Sequence, residues 1–309
     1  MRDLFSYLIK RAAWMVLTLW AVYTVSFILM RSVPGNPFGG ERNVPPAIER
    51  QLMARYNLDA PPLQQYWDYL VGIVTRFDLG WCMGLEDYSV NQVLAEGFPV
   101  SATLAIFALV FAIILGVSAG VVSAVFRRSK ADVALMFAAV LGIAVPNFVL
   151  ASLAILLFVF MIQIFPAGGW GTLQQIALPA FCLGLPVAAY IARLTRTGML
   201  EMLTKDHVRT AIAKGLPYRT VIMRHVLPGA LLPVVSYLGP AVARVLTGSL
   251  VLEKIFAIPG MGSHFINAAT QRDYTLAMGM VLTYTVLLFV MNTLVDLAYA
   301  IIDPRVKLQ

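Results

Sequence analysis

Six long runs of apolar residues constrain the fold of this chain more than any other feature. The runs cover residues 9–31, 98–125, 133–163, 175–193, 229–250 and 276–301. A helix needs about 20 mostly apolar residues to cross the hydrocarbon core of a bilayer. Unpaired backbone groups are costly in lipid, so each run is predicted to be a transmembrane helix. The pattern therefore predicts an all-α polytopic membrane protein with six transmembrane helices.

The composition agrees with this class and argues against nucleic-acid binding. Hydrophobic residues make up 60% of the chain and charged residues 13%, whereas a soluble domain has about 25% charged residues. The formal net charge of +7 would suit nucleic acid. However, the basic residues fall between apolar runs, and no aromatic residues interleave with them. We expect membrane lipid around the chain and no nucleic-acid partner.

The basic residues also predict the orientation, because cytoplasmic loops carry an excess of Lys and Arg. The first run is longer than a signal-peptide core of about 7–15 residues, so we expect a retained helix. The basic residues assigned to the cytoplasm are Arg2, Lys10, Arg11, Arg127, Arg128, Lys130, Arg193, Arg196, Lys205, Arg209, Lys214, Arg219, Arg224, Arg305 and Lys307. Both termini are therefore predicted to be cytoplasmic. The predicted parts are the N-terminus with the first helix (1–31), an extracytoplasmic segment (32–97) and a five-helix core (98–309).

Two of the runs contain packing or bending signals. Gly116 and Gly120 form a G-x-x-x-G pattern, which predicts close approach of a neighbouring helix. Pro146 interrupts the third run, and a proline there leaves a backbone carbonyl without its helical donor. We expect a kink at this point, with Asn147 lining a pore.

The only long polar and basic segment in the second half of the chain covers residues 201–233. Its apolar positions at helical spacing are Val208, Ala211, Ile212 and Gly215. Asp206 is predicted to cap this short helix, Gly215 to end it, and Pro217 to lie in the first turn of a second helix. The segment is therefore predicted to be a helix–turn–helix knob. An amphipathic helix lying on the membrane surface would show the same local pattern.

The order of residues in this knob resembles that of a known family. It is similar to the EAA loop of bacterial ABC importer permeases, in the form typical of peptide and nickel systems. The matching elements are Arg209-Thr210-Ala211, Gly215 and His225-Val226-Leu227-Pro228. Arg209 departs from the usual Glu, and His225 from the usual aliphatic residue. Further resemblances along the chain are Arg31 to Pro37, Tyr56 to Leu58, Asp78 to Gly80 and Asp303-Pro304-Arg305.

The resemblance implies a type I ABC importer permease fold and a set of partners. These are a homologous second permease subunit, two ABC ATPase subunits and an extracytoplasmic substrate-binding protein. It also implies that the loop at 201–228 docks into a groove of the ATPase. The residues assigned to this docking are Asp206, Arg209, Thr210, Ala211, Ala213, Lys214, Gly215, Leu227 and Pro228. The chain has no G-x-x-x-x-G-K-[S/T] phosphate loop. We therefore expect ATP and Mg²⁺ on the partner ATPases, and no catalytic residue, cofactor or metal on this chain.

The chain looks most like the first of two permeases in oligopeptide importers, which implies peptide import across a bacterial inner membrane. Dipeptides, glutathione, murein peptides and nickel are the alternative solutes within the same family. An ion-coupled secondary carrier is less favoured, because ionisable residues inside the runs are few, chiefly Arg244 and Asp296. A structural scaffold would need no solute pathway.

Arg244 lies inside the fifth run rather than at its end. An arginine near the centre of a membrane helix costs about 2.5–3.5 kcal/mol on insertion scales, so it needs a partner or water. Ser236, Arg244 and Thr247 share one face of the helix by their spacing. We predict that this face lines the pore and that Arg244 binds the carboxylate of a peptide. The alternatives are that Arg244 snorkels outward or pairs with the partner permease.

Overall fold

A computed structural model describes residues 2–32, 46–85 and 87–302. Within these residues, five helices are long and apolar enough to cross a membrane, or six spans result if one strongly bent pair counts as a span. The five are Tyr7–Ser32, Val90–Val125, Leu173–Met202, Leu232–Ile255 and Tyr274–Leu297. This architecture confirms the predicted all-α membrane fold.

The described residues form fourteen α-helices. In chain order they are α1 (Arg2–Ser32), α2 (Pro46–Arg55), α3 (Pro62–Arg76), α4 (Val90–Val125), α5 (Lys130–Ala144), α6 (Asn147–Ala154), α7 (Leu173–Met202), α8 (Asp206–Ala213), α9 (Tyr218–Thr220), α10 (Leu227–Ala230), α11 (Leu232–Gly248), α12 (Leu250–Ile255), α13 (Met261–Gln271) and α14 (Tyr274–Ile302). Two π-helical segments, Ile155–Met161 and Val221–Val226, follow α6 and α9. The motif residues 33–37 and 303–305 lie outside the described residues.

One compact unit combines residues of Met1–Ser101 with Pro259–Leu294. An aromatic cluster holds its first helices together. The ring of Tyr66 on α3 lies 4.9 Å from that of Tyr23 and 5.4 Å from that of Phe27 on α1, measured between centroids. The Tyr23 hydroxyl also donates to the carbonyl of Tyr66 at 2.6 Å. The part of segment 32–97 around α3 is therefore packed against the first span.

Asp273 ties the start of α14 to the loop before α4. Its carboxylate accepts the backbone N–H groups of Met83 at 2.8 Å and of Gly84 and Leu276 at 2.9 Å. Burial raises the pKa of the Asp273 carboxyl, and the three N–H donors oppose that rise. The contacts bring together residues 189 and 190 positions apart in the chain.

The stretch from Glu253 to Tyr274 is largely helical. α12 extends the fifth span to Ile255. Glu253 is fully buried and accepts a hydrogen bond from the Ser249 hydroxyl at 2.5 Å. α13 then covers eleven residues, and its buried residues include Met261 and Ala268.

The second compact unit combines Ala102–Ile258 with the end of α14, from Val295. α7 lies at its centre and packs closely on α4. A Cβ atom added to Gly116 would lie 2.6 Å from the carbonyl oxygen of Ala188, and one added to Gly120 would lie 2.6 Å from that of Ala192. These distances confirm that the two glycines allow a helix to approach closely.

The third predicted span is broken rather than kinked. α5 ends at Ala144, and the arm formed by α6 with its π-helical segment leaves at 112°. Each arm has 15 residues, or about 22 Å at 1.5 Å per residue, which is less than the roughly 30 Å of a bilayer core. The sequence located the break at Pro146. The bend is sharper than predicted because Val145, the residue before the proline, adopts an extended conformation.

The second span also begins earlier than predicted. α4 starts at Val90, inside segment 32–97, and continues through Pro99. Its first turns stay helical because Val90 and Val93 are buried in a core with Met261 and Ala268 of α13. The helix is therefore stabilised here by packing that the local sequence does not reveal.

Candidate functional site

The knob predicted at 201–228 is a compact helical element built on the end of α7. Its core consists of Val208 and Ala211 from α8 and Val221, Ile222 and Val226 from the π-helical segment, all at most 4% exposed. These side chains pack with Met199 of α7, Ala230 of α10 and Ala124 of α4. The knob is thus fixed to three helices of its own unit.

The ends of α8 follow the predicted order with one correction. Gly215 has a φ of +76°, and its N–H donates to the carbonyl of Ile212, so the chain turns where glycine is favoured. Pro217 precedes the first residue of α9 as its N-cap. Asp206 does not cap α8, because Lys205 takes that place. Asp206 lies instead in the first turn, where its charge favours the positive end of the helix.

The outer side of the knob carries apolar residues that this chain leaves uncovered. Ile212 is 52%, Leu216 39% and Tyr218 54% exposed. Arg209 and Lys214 beside them are exposed and basic. We call the following residues the knob surface: Arg209, Ile212, Ala213, Lys214, Leu216 and Tyr218. An exposed apolar patch rimmed by polar residues is typical of a protein-binding site.

The structure separates the predicted docking residues into two groups. The exposed group consists of Asp206, Arg209, Thr210, Ala213, Lys214, Gly215 and Pro228. Ala211 is 4% exposed and faces the knob core, and Leu227 is half-buried. The prediction that Ala211 is available for docking was therefore wrong, because the side of α8 that carries it packs on its own chain. Leu216 and Tyr218 were missed, since a lone apolar residue in a turn gives no periodic signal.

His225 links the two halves of the knob. Its carbonyl lies 3.1 Å from the Nε2 atom of His207, which precedes the buried Val208 on α8. The π-helical turn ends where the N–H of Leu227 donates to the carbonyl of Ile222, five residues back. Pro228 has no N–H, so the wider turn falls where the regular ladder is interrupted.

A charged cluster holds the helices next to the knob. Asp132 of α5 is 4% exposed and accepts two hydrogen bonds from Arg196 of α7, from Nε at 2.8 Å and from a terminal nitrogen at 2.9 Å. The Ser123 hydroxyl of α4 donates to the same carboxylate, as does the N–H of Arg128 at 2.9 Å. Three helices therefore meet at one carboxylate.

The predicted pore-lining face of α11 is open on this chain. Ser236, Pro240 and Arg244 are exposed, and Thr247 is half-buried. At 100° per residue they fall within roughly 80° of one another. Arg244 is near the middle of the span Leu232–Ile255, as predicted. Asn147, the first residue of α6, is half-buried on a separate element, so the structure does not place it on this face.

The sequence matches a known protein family over most of its length. Residues 112–308 match the family described as the inner membrane component of binding-protein-dependent transport systems, and residues 4–105 match its N-terminal region. The chain belongs to this family. It is a transport permease, a multi-pass component of an inner membrane, and its family is one of transport subunits rather than enzymes.

Two relatives are similar to this permease over nearly its whole length. The dipeptide transport system permease protein DppB of Bacillus subtilis is 47% identical over 302 residues, covering 98% of each chain. The oligopeptide transport system permease protein OppB of Escherichia coli K12 is 42% identical over 303 residues, covering 97% of this chain and 99% of that protein.

A solved structure agrees with the fold. An inward-facing structure of the MetNI methionine ABC transporter is similar with a TM-score of 0.52 at 19% identity, over 67% of this chain and 96% of that chain. At this identity the likeness concerns the fold alone, and it supports the ABC importer permease fold expected from the sequence.

Proposed function

We propose that this permease is the membrane-spanning subunit of an ATP-driven importer that moves peptides, with oligopeptides as the first candidate cargo, across the cytoplasmic membrane of a bacterium. The observation that carries the proposal is the full-length similarity to permeases named for oligopeptide and dipeptide transport. The uncovered polar face of α11 supports a solute pathway, which a structural scaffold would not need.

Dipeptides are the second candidate cargo. The dipeptide permease of Bacillus subtilis is 47% identical to this chain, against 42% for the oligopeptide permease of Escherichia coli. Glutathione, murein peptides and nickel remain alternatives within the family.

The energy for import would come from partner subunits. We assign the knob surface to a groove of an ABC ATPase, and the chain itself would pair with a homologous second permease and receive cargo from an extracytoplasmic binding protein. ATP and Mg²⁺ belong on the ATPase subunits. ATP drives the cycle in this scheme because it binds one conformation of the assembly more tightly and shifts a two-state equilibrium.

The test is reconstitution of the co-purified complex. The permease is tagged, isolated with its partners, and placed in vesicles with labelled peptides of two, three and five residues. We expect ATPase subunits in the purified material and uptake that requires ATP and is blocked by vanadate. Uptake without ATP that collapses with the proton gradient would instead indicate a secondary carrier. Stable partners without uptake of any peptide would contradict the assigned cargo.

A further inference from the structure

Arg244 occupies a position that lipid cannot cover at low cost. It lies near the middle of the 24-residue span Leu232–Ile255, and its side chain is exposed on this chain. None of the ion pairs among residues 2–32, 46–85 and 87–302 includes Arg244. Ionisable residues at this depth face a bundle interior or a water-filled cavity. The α11 face therefore points towards a polar space.

Aromatic surface lies next to this cation. The rings of Tyr190 on α7 and Tyr237 on α11 are stacked, with centroids 4.4 Å apart at 29°. Tyr237 precedes Arg244 by seven residues on α11, which is about two helical turns, so the two side chains project from the same side of the helix. Tyr190 is 42% exposed, so the pair offers an open ring surface on the side of α11 that carries the guanidinium group.

The same face carries a backbone acceptor that lacks its regular helical donor. Pro240 lies inside α11 and has no N–H, so the carbonyl of Ser236 loses the donor that a regular helix supplies. Ser236 is exposed. The face thus presents a cation, a carbonyl acceptor and an aromatic surface within two to three helical turns.

These three groups match the chemistry of one end of a peptide. A C-terminal residue carries a carboxylate that can bind Arg244 and an amide N–H that can donate to the carbonyl of Ser236. Its side chain can lie on the rings of the Tyr190–Tyr237 pair. An acidic side chain from a second permease would use the cation alone. The carboxyl terminus of a peptide is therefore the occupant that accounts for the whole face.

We propose that Arg244, with the Tyr190–Tyr237 pair, forms a subsite that binds the C-terminal carboxylate of a peptide in transit. This inference rests on the proposed function, since it requires peptide cargo. The subsite selects cargo after release from the binding protein. It therefore acts in addition to any selection that the binding protein makes.

The test compares one labelled peptide as the free acid and as the C-terminal amide, in vesicles that contain the complete transporter. The quantity measured is the ratio of the two uptake rates, divided by the same ratio for wild type, so that selection by the binding protein cancels. We expect Arg244→Gln to lower the ratio about tenfold, as the loss of a charge-assisted hydrogen bond requires. Arg244→Lys should retain most of the preference for the free acid. Arg127→Gln, which removes an exposed arginine from a turn, should leave the ratio unchanged.

Each outcome bears on a different claim. An unchanged ratio in an Arg244→Gln complex that still contains its ATPases overturns the subsite and leaves peptide import standing. Wild-type vesicles that import neither peptide overturn both proposals. Should Arg244→Gln fail to assemble, a second measurement uses the protein that keeps Arg244. In it, Tyr190 is replaced by the photocrosslinking residue p-benzoylphenylalanine. Photocapture of labelled peptide should be competed about tenfold better by the free acid than by the amide, and equal competition overturns the subsite.

Discussion

Asp132 shows how one residue can organise several helices. Its carboxylate accepts a forked pair of hydrogen bonds from Arg196, 64 positions away in the chain, and further bonds from Ser123 and the N–H of Arg128. Such a bidentate pair fixes both the distance and the orientation of the groups it joins. The knob is built on the same α7 that carries Arg196. The ion pair therefore sets the position of the helix on which the knob rests.

We expect Asp132→Asn to destabilise the protein markedly, because it leaves the partly buried guanidinium of Arg196 without its counter-charge. The melting temperature in detergent, followed by gel filtration after heating, should fall by several degrees. Arg196→Lys should have a smaller effect of the same sign, since lysine keeps the charge but not the fork. The matched control is Asp87→Asn, which breaks the exposed pair between Asp87 and Arg55 and should change little. Equal effects at Asp132 and Asp87 would contradict this assignment.

Ala211 and Ile212 are neighbours on α8 with opposite surroundings. Ala211 is 4% exposed in the knob core, whereas Ile212 is 52% exposed on the knob surface. A small apolar residue suits either a partner groove or the protein's own core, so the sequence pattern did not decide between them. The burial of Ala211 is determined by contacts of α8 with Val221 and Ile222, which lie about ten positions further along the chain.

Substitutions at these two positions should therefore fail in different ways. Ile212→Glu should leave the permease folded in the membrane but lower the amount of co-purified ATPase at least about tenfold, because the charge would be buried in the proposed groove. Ala211→Asp should instead reduce the yield and thermal stability of the permease itself, since an unpaired charge in the core costs several kcal/mol. Lys130→Glu, which adds an acidic residue at the exposed first position of α5, outside the knob, is the control. An unchanged amount of co-purified ATPase with Ile212→Glu would show that the knob surface is not part of the interface.

At the scale of helices, α7 is the element on which the second unit is packed. It contacts α5, α6, α10 and α11. Its backbone also approaches that of α4 closely at Gly116 and Gly120. Gly184 on α7 repeats the arrangement from the other side, because a Cβ atom there would lie 2.4 Å from the carbonyl oxygen of Ala108. Helices in lipid associate through such close packing rather than through the hydrophobic effect.

We predict that Gly116→Val separates α4 from α7 and lowers the free energy of unfolding by about 1–3 kcal/mol, the usual cost of overpacking a tight core. The added side chain would meet both the Ala188 carbonyl and the Cβ atom of Ile191. Gly248→Ala is the matched control, since no atom lies within 4 Å of a Cβ at that position. Thermal unfolding in detergent distinguishes the two variants. A Gly116→Val protein as stable as wild type would mean that the helices do not pack as described.

The sequence predicted helices more reliably than their directions. Apolar length identified every span, and proline chemistry located the break at Pro146, because both are local properties. The 112° bend occurs at the extended Val145, and the second arm then packs through α6 on α7 and α12, which are distant in the sequence. The burial of Glu253 and the hydrogen bonds of Asp273 were not predicted for the same reason. An acidic residue near a turn gives no local sign that it will be buried or will bond to distant parts of the chain.

At the scale of the whole molecule, the distribution of basic residues predicts which ends of the helices face the cytoplasm. Arg127, Lys130 and Arg196 fall where the chain should lie inside, as do the basic residues of the knob. The long segment before α4 also contains arginines, but long translocated segments weigh little in this rule. The docking role that we propose for the knob depends on this orientation, because ATP is available only on the cytoplasmic side.

Single cysteines can test the orientation in the otherwise native protein, because Cys82 and Cys182 are 1% and 0% exposed and should react slowly. Asp59, in the turn between α2 and α3, and Lys205, before α8, are both exposed. Among residues 2–32, 46–85 and 87–302, the ion pair of the Lys205 side chain is with the exposed Glu201, so its replacement should cost little stability. With an impermeant maleimide, we expect Asp59→Cys to be labelled in intact cells and Lys205→Cys only after permeabilisation. The unsubstituted protein measures background labelling. Labelling of Lys205→Cys in intact cells, with Asp59→Cys protected, would place the knob outside and rule out its contact with an ATPase.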